Sequence, residues 1–301
     1  MRCSSCGNEA VTFQEYSGKH LCRRHFCEDI EAKAKHAIRL HHWLRAGDHI
    51  GVALTGDEKS GALLFFLHAL VSRRRDVRIT AIAIDGVRDD QDLPGAVIRQ
   101  AEMAGIPVIN ASSSDYFGIA LKEILGNHGS EPSCIAATLR SILLDAAARE
   151  HGVTKIATAH SLDDEACAVL MSVMRGEPEE ILACSPDIPR KSLPMIHPFI
   201  PVSDNDIRRY ASLRGIGCTP PNPPRSAERG TGFSASIRTM LDGYTSRHPA
   251  TKYSLMHLGE NIRGAGIDCG KILETCVQCG EPIHTTCAGC RITDEVKGRG
   301  A

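Results

Sequence analysis

Apolar residues follow two alternating patterns through the middle of this chain. Short continuous apolar runs predict buried strands, and longer stretches with apolar residues three or four positions apart predict helices. The strands are predicted over 49–54, 77–84, 108–110 and 155–158, and the helices over 28–44, 60–72, 95–104 and 141–150. Strands that alternate with helices in this way form a parallel sheet with helices on both faces. The predicted fold class is therefore α/β, a doubly wound and mostly parallel sheet.

The turns that follow the predicted strands are the expected place for a ligand. In a doubly wound sheet the binding crevice lies beyond the carboxyl ends of the strands. This argument selects the segments after Leu54, Ile84 and Thr158. The first of them reads Thr-Gly-Asp-Glu-Lys-Ser, and the last reads Ala-His-Ser-Leu-Asp-Asp-Glu-Ala. These segments are therefore the candidates for a binding site.

Composition narrows the class of protein. The chain has 301 residues, of which 42% are apolar and 24% charged, as in an ordinary globular protein. The formal net charge of −1 excludes the strongly basic field of a protein that coats DNA nonspecifically. Aromatic residues make up only 4%, so stacking on single-stranded nucleic acid is not expected to dominate binding. No apolar run reaches membrane-spanning length and the N-terminus lacks the apolar core of a signal peptide, so we expect a cytoplasmic protein without membrane contact.

Thirteen cysteines are unusual for a cytoplasmic chain, and their spacing indicates metal binding instead of disulfides. The N-terminal set is Cys3, Cys6, Cys22 and His25, and the C-terminal set is Cys276, Cys279, Cys287 and Cys290. Four such ligands can close a tetrahedron around one ion, which predicts two structural Zn²⁺ sites. Cys27 and His284 lie close enough in sequence to compete as ligands, and that choice stays open. The chain then divides into an N-terminal zinc knuckle (1–27), a linking helix (28–48), an α/β domain (49–268) and a C-terminal zinc ribbon (269–301).

The segment from Ala159 to Ala166 closely resembles the GHNLDDEA signature of PP-loop ATP pyrophosphatases that thiolate tRNA. The two zinc sets, in these positions, resemble the TtuA-like branch of that family, which makes 2-thiouridine in tRNA. The run 237–242 is similar to the closing segment of the same branch. The resemblance covers essentially the whole chain. It implies a PP-loop fold, the use of ATP with Mg²⁺, tRNA as the partner and a homodimer.

The resemblance also implies roles for individual residues. The family's phosphate loop, SGGxDS, corresponds to residues 55–60. The implied nucleotide-binding positions are Ala53, Thr55, Gly56, Ser60, Ile84 and His160, and the implied catalytic positions are Asp163 and Cys134. Asp163 is expected either to cap the helix that it begins or to hold Mg²⁺. Arg140 is expected either at a phosphate or tRNA contact or at the plain surface.

The phosphate loop departs from the family pattern. Asp57 replaces the second glycine of the loop, and Lys59 replaces its acid. A carboxylate about 4 Å from a phosphate costs about 4 kcal/mol at an effective dielectric near 20. We therefore expect weak binding of ATP, although Lys59 could offset part of this cost.

The cysteines that hold an iron–sulfur cluster in the family are also altered. Two of the three positions align with Ser133 and Ala136, and the third falls near Ser226. Serine and alanine do not replace a thiolate well. We therefore expect no conventional cluster. Cys134 and Cys218 then remain either as a persulfide or redox pair or as ordinary small apolar residues.

Two functions remain as hypotheses. The first is ATP-dependent thiolation, in which ATP adenylates O2 of a tRNA uridine and sulfur, taken from a sulfur-carrier partner, displaces AMP. The second is a catalytically silent paralogue that keeps the fold, the zinc sites and a tRNA-binding surface. The first requires binding of ATP with Mg²⁺, whereas the second requires tRNA binding with little ATP turnover.

Overall fold

The computed structural model describes residues 1–84, 93–118, 132–177, 180–181, 192–216, 232–265, 274–276, 282–283, 290–291 and 294. The chain forms two compact units, which are described separately. The first unit comprises Met1–Leu44, Ala159–Cys184 and His197–Ile267, and the second comprises Arg45–Thr158, Ser185–Ile196 and Asp268–Ala301. Among the described helices, none combines the length and the apolar character that a bilayer crossing requires.

Strands and helices alternate through most of the described chain. The strands are β1 Thr12–Gln14, β2 Lys19–Leu21, β3 His49–Leu54, β4 Arg78–Ile84, β5 Val108–Ala111, β6 Lys155–Ala157, β7 Met195–Ile196, β8 Glu274–Thr275 and β9 Pro282–Ile283. The helices are α1 Arg23–Leu40, α2 Glu58–Val71, α3 Leu93–Ala104, α4 Ser113–Phe117, α5 Pro132–Glu150, α6 Leu162–Arg175, α7 Asp204–Arg214, α8 Phe233–Thr245 and α9 Thr251–Gly264.

A five-stranded parallel sheet forms the centre of the second unit. Its strands lie in the order β5-β4-β3-β6-β7, and all four pairings are parallel. Strand β3 is buried along nearly its whole length, as expected for a strand covered on both faces. Leu139 and Leu143 of α5 pack against Ile82, Ile109 and Ile156 of the sheet. The predicted α/β class with a mostly parallel sheet is confirmed.

The first unit is built from a short hairpin and packed helices. Strands β1 and β2 pair in antiparallel register and lead directly into α1. Helix α6 packs against α8, where Ala166 and Cys167 contact Ile237 and Leu241. A second cluster joins α1, α6 and α9 and consists of Ala37, Leu162, Ile200 and Met256. These contacts place the start of α6 among the other helices of this unit.

All four predicted helices begin earlier than the apolar spacing indicated, and two of them do so by five residues or more. Helix α1 begins at Arg23, because Cys22 takes an extended backbone conformation at the helix N-cap, with φ −75° and ψ 168°. The same helix ends at Leu40 and not at residue 44, and His42 beyond it has φ +50°. Helix α5 begins at Pro132. A proline is favourable at the first position of a helix, because the N–H that it lacks would have no partner within the helix there.

Candidate functional site

The turn between β3 and α2 contains the predicted phosphate-loop residues. Gly56 has φ +72°, a conformation that favours glycine. The backbone N–H and the hydroxyl of Thr55 both donate to Ser60 Oγ at 3.2 Å. Ser60 Oγ in turn donates to the Asp57 carbonyl at 3.2 Å. The loop is therefore a tight turn that its own side chains stabilise.

Asp57 occupies the N-cap of α2. Its Oδ1 accepts a hydrogen bond from the Ser60 backbone N–H at 2.8 Å. Gln100 of α3 fixes the same residue from the other side by donating to its carbonyl at 3.1 Å. A helix N-terminus favours negative charge and is a common binding position for phosphate. In this structure the Asp57 carboxylate accepts a hydrogen bond from Ser60 N–H, one of the backbone groups that such a phosphate would use.

The other predicted nucleotide-binding positions of this unit lie near the carboxyl edge of the sheet. Ala53 pairs with Ile82 near the end of β3, and Ile84 ends β4 and is buried. Arg140 is half-buried in α5 instead of lying at the plain surface, and burial lowers the pKa of its guanidinium. Cys134 lies in α5, but its side chain is outside the described part of the structure, and so is all of Cys218.

The N-terminal ligand set comes together in the first unit. The ligand atoms of Cys3, Cys6, Cys22 and His25 all lie within 4.8 Å of one another. The Cys6 and Cys22 sulfurs are 3.7 Å apart, and His25 Nδ1 is 3.4 Å from the sulfurs of both Cys3 and Cys22. Ligands of a tetrahedral Zn²⁺ ion with bonds of about 2.3 Å stand about 3.7 Å apart. The four residues therefore fit one tetrahedral metal ion.

The environment of Cys3 favours the thiolate form that metals bind. Burial opposes ionisation of Cys3, but hydrogen bonds from the backbone N–H groups of Cys22, Ser5 and Cys6 lower the pKa of its thiol to about 5. Gly7 supports the first turn with φ +74° and donates its N–H to the Cys3 carbonyl at 3.0 Å. Cys27, the alternative ligand, is buried on α1 and is not in the cluster. Burial raises the pKa of its thiol.

The C-terminal set is described only in part. The sulfurs of Cys276 and Cys290 are 3.7 Å apart, the same spacing as in the N-terminal cluster. Cys276 is buried and follows β8, which pairs with β9 in antiparallel register. Cys279, Cys287 and the alternative ligand His284 lie outside the described residues.

The acidic run Asp163, Asp164 and Glu165 begins helix α6, and protein groups contact all six of its carboxylate oxygens. Asp163 Oδ1 accepts from Lys252 Nζ at 2.6 Å, and its Oδ2 accepts from the Asp204 backbone N–H at 2.8 Å. Asp164 Oδ1 accepts from Arg238 at 2.7 Å, and its Oδ2 accepts from the Ser161 hydroxyl at 2.9 Å. The two oxygens of Glu165 bind Arg263 and His160.

The protein contacts of Asp163 compete with the Mg²⁺ ligand role that the family pattern implies. Mg²⁺ is bound through one or two carboxylates with oxygens that are open to it. Both oxygens of Asp163 are engaged, and the side chains of Asp163 and Lys252 are each only 12% exposed. Asp163 does not cap the helix either, because the capping box is formed by Ser161 and Asp164.

His160 lies immediately before the capping box, where Glu165 holds its ring. The Nε2 atom of His160 donates to Glu165 Oε2 at 3.0 Å, and the imidazole lies 5.0 Å from the ring of His197. Burial raises the pKa of Glu165, but the His160 hydrogen bond and the charge of Arg263 outweigh it and lower that pKa to about 2. Because Glu165 is thus ionised, the proton lies on Nε2, and Nδ1 of a neutral His160 is an acceptor.

The cations that bind the acidic run were not found in the sequence. Arg238 lies on α8, and Lys252 and Arg263 lie on α9. They are separated from their partners by 74, 89 and 98 residues, so no local spacing connects them. The only available signal was that residues 237–242 resemble the family's closing segment.

Comparison with known proteins agrees with this architecture. Residues 27–219 match the family model of the PP-loop domain, and residues 2–27 match that of the N-terminal LIM domain of 2-thiouridine synthetase TtuA. The chain is 26% identical to the tRNA 2-thiolation protein NcsA of Haloferax volcanii, over 99% of both chains. It is 25% identical to the tRNA-5-methyluridine(54) 2-sulfurtransferase of Thermus thermophilus, over 99% of this chain and 93% of the relative.

A solved structure shows the same fold. The U34-tRNA thiolase NcsA from Methanococcus maripaludis, with its [4Fe-4S] cluster, superimposes with a TM-score of 0.81 at 22% identity. The match covers 98% of this chain and 96% of that one. The fold and the two family models define a PP-loop protein with a TtuA-type N-terminal module. The chain belongs to the PP-loop family of tRNA 2-thiouridine synthesis proteins.

Proposed function

We propose that this chain acts in the 2-thiolation of a uridine in tRNA. The observation that carries the proposal is the end-to-end similarity to a tRNA 2-thiolation protein, over 99% of both chains. A match of this extent includes the phosphate-loop turn, the segment around His160 and both cysteine-rich ends.

The reaction that the proposal assigns has two steps. O2 of the uridine attacks the α-phosphorus of ATP and releases pyrophosphate, and a sulfide sulfur then displaces AMP at C2. His160 is the candidate that meets the nucleotide, because Glu165 fixes its ring and leaves the Nδ1 side as an acceptor. Such catalysis depends mainly on positioning and on stabilisation of charge. The sulfur comes from a carrier protein, since the cluster cysteines of the family are not present at the aligned positions.

The two cysteine-rich ends are proposed as structural zinc sites. The support is the tetrahedral spacing of Cys3, Cys6, Cys22 and His25 and the 3.7 Å separation of Cys276 and Cys290. Closed sites with four protein ligands contribute to folding and leave no position for a substrate. Zinc at these ends would therefore shape the protein but would not supply sulfur.

The direct test is thiolation of an unmodified tRNA transcript. The protein is incubated with the transcript, ATP, Mg²⁺ and sulfide, which replaces the sulfur of the carrier protein. The digested tRNA is analysed by mass spectrometry for 2-thiouridine. We expect 2-thiouridine to form only with ATP and to be lost in His160→Ala. His257→Ala is the matched control, because this histidine also pairs with a glutamate but is 64% exposed on α9. Retained thiolation in His160→Ala would contradict the role given to His160.

A silent paralogue that only binds tRNA is the second candidate. One observation favours it: all six carboxylate oxygens of the acidic run have protein partners, so a Mg²⁺ ion would have to compete with them. In this case tRNA binds, but 2-thiouridine does not form under any condition of the thiolation test. Binding without product would therefore replace the first candidate with the second.

A further inference from the structure

Asp57 makes an interaction that a glycine at the same position could not make. Its carboxylate accepts the Ser60 N–H at 2.8 Å at the start of α2. Thr55 N–H is also engaged within the turn, by Ser60 Oγ at 3.2 Å. Two of the backbone donors in this loop are therefore already bonded to groups of the chain itself.

We propose that Asp57 limits the affinity of this loop for the phosphates of a nucleotide, because its carboxylate takes the place of one of them. The inference deepens the proposed function and rests on it for the identity of the ligand, a nucleotide. A phosphate that approaches the start of α2 must displace the carboxylate from Ser60 N–H, or else lie beside it. In both cases the two negative charges repel each other at short range.

Two further contacts hold the backbone of Asp57 in place. Gln100 holds the Asp57 carbonyl from α3 at 3.1 Å, and Ser60 Oγ donates to the same carbonyl at 3.2 Å. The backbone of Asp57 is already in the extended conformation of an N-cap, with φ −85° and ψ 169°. The carboxylate therefore extends from a backbone that its neighbours fix at the start of α2.

Two substitutions separate the charge of Asp57 from its capping role. Asp57→Asn removes the charge and keeps the cap, because asparagine is as good an N-cap residue as aspartate. Asp57→Gly restores the family residue and releases the Ser60 N–H. Glu58→Gln is the matched control, since it removes the neighbouring carboxylate in the same first turn of α2.

The experiment is calorimetric titration of the four full-length proteins with ATP and Mg²⁺, and separately with adenosine. Adenosine carries no phosphate, so its affinity should be the same in all four. We expect Asp57→Asn and Asp57→Gly to bind ATP more tightly than the wild type by about tenfold to a thousandfold. Glu58→Gln should change the ATP affinity much less. Circular dichroism of each variant verifies that the fold is kept.

Three results would overturn the inference. They are micromolar binding of ATP by the wild-type chain, no gain in either Asp57 variant, and an equal gain in Glu58→Gln. Failure of the proposed function has a different signature. If the wild-type chain makes no 2-thiouridine but the Asp57→Gly variant gains ATP affinity, this inference holds and only the catalytic proposal fails.

Discussion

At the scale of single residues, the acidic run at the start of α6 has a structural role that its sequence does not reveal. Acids in a first helical turn are favourable for the helix alone, and next to a nucleotide they are typical metal ligands. In this structure each of the three pairs with a cation of α8 or α9. Breaking a buried ion pair leaves an uncompensated charge, which destabilises the fold. These three residues therefore stabilise the packing of α6 against α8 and α9.

The pKa of Glu165 predicts a loss of stability in acid. Its folded pKa of about 2 lies below the ordinary value of 4.5, so the unfolded chain binds the proton more readily. The ionised Glu165, bound by His160 and Arg263, therefore stabilises the fold fully above pH 4.5, and this contribution is lost as the pH falls towards 2. The contribution amounts to up to about 3 kcal/mol. Thermal unfolding of the wild type should show a midpoint that falls across this range.

Glu165→Gln isolates the contribution of this carboxyl group, because other acids also titrate in the same range. We expect the wild type to be more stable than the variant at pH 6 and the difference to shrink steadily below pH 4.5. A difference in unfolding midpoint that stays constant from pH 6 to pH 3 would show that Glu165 keeps an ordinary pKa.

At the scale of elements, the apolar pattern predicted the strands of the sheet well and the ends of the helices less accurately. The runs at 49–54 and 77–84 correspond to β3 and β4, because continuous apolar strands are covered on both faces. Helix α1 begins five residues before the predicted start at 28, since its first turn is set by the Cys22 cap and not by apolar spacing. Such caps depend on backbone conformation, which periodicity does not encode.

The residues of the candidate sites also differ in how well the nearby sequence predicts them. The cysteine spacing at the N-terminus predicted Cys3, Cys6, Cys22 and His25 as one set, and the structure brings their ligand atoms together. Local motifs carry that information, because a knuckle is a short-range structure. The partners of the acidic run come from helices far along the chain, so only the tertiary fold could reveal them.

The cysteine-rich ends lead to a prediction about metal content. We expect elemental analysis of the purified protein to find about two zinc ions per chain. Cys22→Ala should lose one of them and should weaken hydrogen-exchange protection in the β1–β2 hairpin and the first turn of α1, because a closed site contributes local folding energy. Iron together with acid-labile sulfide would contradict the expectation that no conventional cluster is held.

At the scale of the whole molecule, the low net charge of −1 restricts how tRNA can bind. Phosphate contacts must come from a local basic face, since the summed field of the chain is weak. The end of α1 is one such candidate, where His36, Arg39 and His42 are exposed. This surface belongs to the first unit, which also contains His160.

Both candidate functions require tRNA recognition, so the affinity for tRNA is the most direct test of the account. We would measure binding of an unmodified tRNA transcript and of a scrambled RNA of the same length by fluorescence anisotropy at several salt concentrations. We predict tighter binding of the tRNA at every salt concentration, with affinities for both that fall as salt rises. Equal affinity for the two RNAs, or binding of neither, would contradict a function in tRNA thiolation and also the silent tRNA-binding alternative.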